Sequence, residues 1–320
     1  MSLNELLGVR YRGAGRALAW RGWCSQPLSR SLAQRRSQPR APRGCGARLA
    51  ALASVWAAVL LGPALTRGGT AHALDVTACG QTVPAGQRGV LVADLTCPSG
   101  TGVSVAARAT LDLAGHAIAA GSAPAIECLG HGCTITSSGG PGEVSGTALV
   151  DCIVTAPRAR LRIDNLHVHD CRTCVETNPE YESGRGALAI ASHLAVDHCA
   201  EVGINVRALH ADHVAVTAAG GWIALWAEEL LEGNDITASD NAQTGMFAGR
   251  RLRVRNLWAS NNGRYGVSSF GLVSIRGGEI RDNASWDLVA RRARLVGVNC
   301  GRSIQSAQAL TDTLGVCADD

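Results

Sequence analysis

Six segments of this chain line up on Leu161, Leu188, Leu209, Leu231, Leu252 and Val273, at intervals of 27, 21, 22, 21 and 21 residues. Ten positions after each anchor stand Cys171, His198, Ala219, Asn241, Asn262 and Asn283, preceded by Asp170, Asp197, Ala218, Asp240, Asn261 and Asp282. Gly245-Met246 and Gly266-Val267 fall at matching places, with Gly203-Ile204 one residue late. A period of 21–22 residues, made of short apolar alternations without helical spacing, predicts a β-solenoid in which each coil cannot bury its apolar face alone. Each coil contributes three short strands and stacks on the next at ~4.8 Å. The Asp-Asn and Asn-Asn pairs mark a corner, because Asn tolerates the left-handed conformation and its amides can bond to those stacked above and below. A leucine-rich repeat has a similar period but needs Leu and Asn at other spacings, so the expected class is all-β.

"TLDLAGHAI" (Thr110 to Ile118), "SDNAQTGMFA" and "SNNGRYGVSS" carry a resemblance. With these segments the chain resembles secreted bacterial proteins of the pectate-lyase-like superfamily, over residues 76–300. That resemblance implies a right-handed parallel β-helix at 103–299, with an N-terminal cap at 74–102 and a C-terminal cap at 300–320. It does not fix an activity, since one scaffold carries many.

The ends of the chain differ from its body. Residues 1–73 hold 11 Arg against the single acid Glu5, a net of +10, while residues 74–320 hold 19 Arg against 25 acids, a net of −6. There is no Lys. No nucleic-acid partner is expected of this arm. Residues 1–48 read as a disordered basic extension. Residues 49–73 read as a secretory signal: "LAALASVWAAVLLGPAL" follows Arg40, Arg43 and Arg48, and Ala71-His72-Ala73 supplies a cleavage site. An uncleaved anchor is the alternative; the run is short for a membrane span, so none is expected after cleavage. Ten of the 12 cysteines then remain, an even number that suits disulfides in a secreted, periplasmic or cell-surface protein. Cys79 with Cys97 and Cys300 with Cys317 should close the end segments. Cys128 with Cys152, at equivalent places in "IEC" and "VDC", should bridge adjacent coils, with Cys128–Cys133 as the rival. The partners of Cys171, Cys174 and Cys199 stay open, and so does Cys133 if the rival fails.

In the resembled family the strand after the longest loops bears the substrate cleft. Carried over, anchor positions point inward and the first and third positions after them point outward. The outward pairs are Arg162/Asp164, Ala189/Ala191, His210/Asp212, Glu232/Asn234, Arg253/Arg255 and Ser274/Arg276. His210, Asp212, Glu232, Asn234, Arg253 and Arg255 form the candidate catalytic set. Asp212, Glu232 and Asn234 offer oxygen ligands for calcium if the protein is a lyase, and no other cofactor is expected. His210 offers a proton shuttle and the arginines a fork for sugar carboxylates. The loop Asn178–Gly186 brings Glu180, Tyr181, Glu182 and Arg185 as substrate contacts. Trp222, Tyr265 and Trp286, thirteen positions after their anchors, offer stacking surfaces for sugar rings. His131, in "GHG", lacks the partners that would make it catalytic.

These parts point to a monomeric secreted β-helix binding or cleaving an acidic polysaccharide or cell-surface glycan, as a lyase or glycoside hydrolase if it is an enzyme. The alternative is a non-catalytic surface or adhesion protein that uses the same rigid coil as a spacer.

Overall fold

The structure, a computed structural model, describes residues 73–177, 186–305 and 315–320. All of them belong to the compact unit Thr66–Asp320. They form twenty-one strands joined entirely by parallel pairing, with no helix among the described residues. The chain winds as a parallel β-solenoid of about ten turns. Parallel pairing already holds Leu74–Val76 against Arg88–Leu91 and continues to Ser303–Gln305 on Trp286–Cys300. The basic extension at 1–48 and the segment 49–72 lie outside the described residues.

The core is a continuous file of Val, Ile, Leu and Ala running through the coil, including Leu161, Leu209, Leu231, Leu252 and Val273, each almost inaccessible. Three faces surround it. In a coil such as Arg160–His169, the first face runs to Asp164, the backbone bends at Asn165 (φ 58°), and the second face continues from Leu166. A second bend at Asp170 (φ 56°) leads to the third face, Thr173–Glu176.

Five of the six anchors stack as expected. The exception is Leu188: Leu161 pairs with Ala189, and Ala189 with Leu209. Ala189 and Ala191 are therefore buried, and Ile190 and Ser192 occupy the outward places assigned to them. An alanine suffices inside because leucines above and below it supply the volume. With the anchor moved to Ala189, Gly203 is no longer late, and the ninth positions become Asp170, His198, Ala218, Asp240, Asn261 and Asp282. All six have φ between 50° and 59°. The left-handed residue is thus the one before the inward Asn, not the Asn itself.

That Asn is a buried rung. Asn241 donates through Nδ2 to Asn262 Oδ1 (2.9 Å), Asn262 to Asn283 Oδ1 (2.8 Å), and Asn283 to Asp287 Oδ1 (2.7 Å). The same amides donate to carbonyls of Val216, Ala238 and Ala259. Glycine on the third face makes room. A Cβ at Gly245 would lie 2.8 Å from Asn262 Nδ2, and one at Gly266 would lie 2.6 Å from Asn283 Nδ2. This is why Gly-Met and Gly-Val follow the Asn corners.

Five disulfides join all ten cysteines beyond residue 73: Cys79–Cys97, Cys128–Cys133, Cys152–Cys171, Cys174–Cys199 and Cys300–Cys317. The end bridges are as expected; Cys128–Cys152 is not. Ile126 pairs with Ile153 and Cys128 with Thr155, so "IEC" and "VDC" are offset by three residues and Cys128 does not stack on Cys152. Cys152 is instead in register with Cys174, because Ile153 pairs with Val175. Each bonds the corner cysteine of the following coil, so one bridge is repeated.

Candidate functional site

On the first face the pairing sets two outward columns. One runs Arg162, Ile190, His210, Glu232, Arg253, Ser274, Arg294; the other runs Asp164, Ser192, Asp212, Asn234, Arg255, Arg276, Val296. The six candidate catalytic residues therefore do share one exposed face on three consecutive coils. His210 Nδ1 lies 3.9 Å from Glu232 Oε2, close enough for attraction and too far for a hydrogen bond.

From Arg251 onward this face is cationic. Arg251, Arg253, Arg255, Arg276, Arg292 and Arg294 are all exposed on three successive coils. Among the described residues, none of the six has a side-chain hydrogen bond or ion-pair partner, whereas Arg281 on the second face pairs with Glu279 and Asp282. Arg255 and Arg276 are neighbours across coils, ~4.8 Å apart along the stack, while Leu272 stands between Arg251 and Arg292 and Ser274 between Arg253 and Arg294. Such an array is unfavourable alone and favourable against a polyanion, whose carboxylates or sulfates the planar guanidinium binds in two-pronged fashion.

The corner bordering this face carries a group that the sequence reading missed. Asn165, His193, His213, Asp235 and Asn256 occupy equivalent positions four residues after their anchors, all with φ between 47° and 58°. The polar column was present in the sequence, but the misplaced Leu188 anchor hid His193 from it. The His193 and His213 rings stack 5.2 Å apart. Ser192 Oγ donates to Asp164 Oδ1 at 2.7 Å, and His193 Nδ1 lies 3.4 Å from the same oxygen. Asn256 Nδ2 donates to Asp235 Oδ1 at 2.9 Å. Asp212 is in register with Asn234, while its carboxylate approaches His213 Nδ1 (3.4 Å), whose Nε2 faces Asp235 Oδ2 (3.6 Å).

The second face has its own titratable cluster on the N-terminal coils. His169 lies between Glu143 Oε1 and Asp170 Oδ2, both at 2.8 Å. Burial alone would lower its pKa, but the bonds to Asp170 and Glu143 prevail and raise it. Asp197 faces His167 and His198 at 2.9 Å each. Burial would raise its pKa; the bonds to His198 and His167 outweigh that and lower it. Asp112, in "TLDLAGHAI", plays a structural part. Its buried carboxylate accepts from Ser138, Arg88 and the Ala114 amide, which overcomes the burial that would raise its pKa and holds the corner at Ala114.

Of the stacking candidates, Tyr265 and Trp286 are register partners, and Arg264 and Arg302 lie over their rings. Trp222 is not in that column. The 22-residue coil has its extra residue in the Gly220-Gly221 corner, so Ile223 pairs with Thr244 and takes the place instead. Trp222 is exposed beside it. Glu180, Tyr181, Glu182 and Arg185 lie outside the described residues. His131 lines a shallow recess with Arg108, away from the first face's C-terminal coils. No family model, no curated protein and no solved structure matches this chain.

Proposed function

We propose that this protein is an exported β-solenoid that binds an acidic polysaccharide along the first face of its C-terminal coils. The observation that carries the reading is the row of six exposed, unpartnered arginines from Arg251 to Arg294. Export is supported by the pairing of every cysteine beyond residue 73, since disulfides persist in oxidising compartments. It is also supported by the signal-like segment at 49–73. Among the described residues no helix is long and apolar enough to cross a membrane.

Binding is preferred to cleavage because His210 and Glu232 stand side by side without a hydrogen bond and are both substantially exposed, whereas acid–base groups work in hydrogen-bonding reach of one another or of substrate. The test uses immobilised polyuronate and a neutral glucan as control. The full chain should retain the polyuronate alone, with affinity that falls as salt rises. Arg253→Ser and Arg276→Ser should each weaken it about tenfold, equivalent to about 1.4 kcal/mol. Equal retention of the neutral glucan, or unchanged affinity in both variants, would end the reading. Release of unsaturated or reducing ends that stops in Asp212→Ala and Arg253→Ala would convert the binder into an enzyme.

A further inference from the structure

We infer that Asp212, His213 and Asp235 form a binding site for a divalent transition-metal ion of the Zn²⁺ class. This stands independently of the glycan reading. One ligating atom from each of the three side chains lies within 4.8 Å of the other two. Two carboxylates on adjacent coils are thereby brought together at the edge of an exposed face, an arrangement that a shared cation would stabilise.

His213 does not supply it by hydrogen bonding. Five other histidines hydrogen-bond a carboxylate: His116 with Asp94 (3.1 Å), His167 with Asp197 (2.9 Å), His169 with Glu143 (2.8 Å), His193 with Asp164 (3.4 Å) and His198 with Asp197 (2.9 Å), while His210 stays 3.9 Å from its single carboxylate neighbour, Glu232. His213 faces two carboxylates, at 3.4 and 3.6 Å, and is hydrogen-bonded to neither. The two contacts use different ring nitrogens, so one ion would take one of them together with an oxygen from each carboxylate, atoms that all lie within 4.8 Å of one another.

The surroundings fit a held ligand set. Asn256 donates to Asp235 Oδ1 and leaves Oδ2 turned toward His213, an outer bond of the kind that orients a metal carboxylate. The stacked His193 ring restrains the His213 ring from the other side. The donors also select the ion. One imidazole with two carboxylates suits Zn²⁺ or Ni²⁺, while calcium takes six to eight oxygens and this corner offers too few. Three protein ligands leave a coordination position for water or for an anionic ligand.

Calorimetric titration of the full chain with Zn²⁺, and in parallel with Ca²⁺, tests this, in a Cys24→Ser, Cys45→Ser background that removes two competing thiols. His213→Asn is the main variant, because Asn165 and Asn256 already occupy this left-handed corner and the coil should keep its fold. Asp235→Asn and Asp212→Asn are the second and third, and circular dichroism confirms that each remains folded. Zn²⁺ should bind at about one equivalent. Its affinity should fall at least tenfold in His213→Asn and in Asp235→Asn, be untouched in His167→Gln, and exceed that of Ca²⁺ throughout. No Zn²⁺ binding, wild-type affinity in folded His213→Asn and Asp235→Asn, or a loss that follows His167→Gln instead would overturn the proposal.

Discussion

The inward corner before the third face is closed by sulfur in the N-terminal coils and by amides in the C-terminal ones. Cys171 and Cys199 hold the position in two coils, Ala219 follows, and Asn241, Asn262 and Asn283 hold it in the next three. The facing position on the third face changes with it: Cys152 and Cys174 become Gly245 and Gly266. A bridge is complete within one pair of coils and needs nothing from the rest of the stack. An amide rung is complete only when its neighbours are present, because each carboxamide accepts from the rung on one side and donates to the rung on the other. The ladder therefore needs terminators, and it has them. The Ala219 amide donates to Asn241 Oδ1 at one end, and Asp287 Oδ1 accepts from Asn283 at the other. Covalent closure falls where the repeat is least regular, in the coils around the 28-residue interval from Leu161 to Ala189. The ladder falls where the period is a steady 21.

The largest effect should come from breaking a bridge. Replacing Cys174 and Cys199 together by Ala opens a loop of 25 residues, and removing a native crosslink of this size costs about 3 kcal/mol. Hydrogen exchange should show the loss in the coils from Val175 to Val216, with amides beyond Asn262 protected as before. Uniform loss of protection along the whole solenoid would mean that the two halves unfold as one unit and that the comparison has no thermodynamic content.

A rung should cost less. Asn262→Leu leaves the Asn241 amide and the Ala238 carbonyl without their partners in a buried corner, which costs about 2 kcal/mol for groups of this kind. The change should spread to Asn241 and Asn283, because both bond to Asn262. Urea denaturation of Asn262→Leu, and of Asn262→Leu combined with Asn283→Leu, checks the coupling. The second substitution should cost less in the first's background than alone, since their shared bond is already gone. Strict additivity would reduce the ladder to a set of independent corners.

The sequence disclosed the coil and its period because inward positions must be apolar in every turn, a demand that repeats and so survives local noise. It disclosed the outward columns for the same reason, once the anchors were right. What it hid were exchanges of volume and of register. Ala189 fills the core where Leu188 looked the better candidate, and an extra residue at Gly220-Gly221 moves Trp222 out of a column it seemed to share. The bridges Cys152–Cys171 and Cys174–Cys199 join a face to the corner of the next coil, a relation visible only after the register is known. The Asp212, His213 and Asp235 convergence was hidden similarly, since its members come from two corners and its chemistry depends on which way each carboxylate turns. The arginines of the first face were legible, and their lack of partners was not.

The smallest expected effect concerns pH, and it too separates the halves. All eight described histidines lie at or before His213, and the one whose pKa is displaced, His169, belongs to the N-terminal coils. His169 sets the sign. Its folded pKa is raised above the unfolded value because Asp170 and Glu143 hold the imidazolium against the opposing effect of burial. Its contribution to stability is fully present below the unfolded value of about 6.5, provided the two carboxylates are ionised, and is lost as pH rises through the folded value. Protection of the coils from Glu143 to Asp197 should therefore decline modestly as pH rises from 6 to 8, after correction for intrinsic exchange rates. Protection around Asn262 and Asn283 should stay level. His169→Gln should flatten the first trend, because glutamine can keep a hydrogen bond to one carboxylate and cannot carry the charge. If the decline persists in His169→Gln, the pH dependence does not come from His169, and the clamp between Glu143 and Asp170 contributes nothing to holding the coils together.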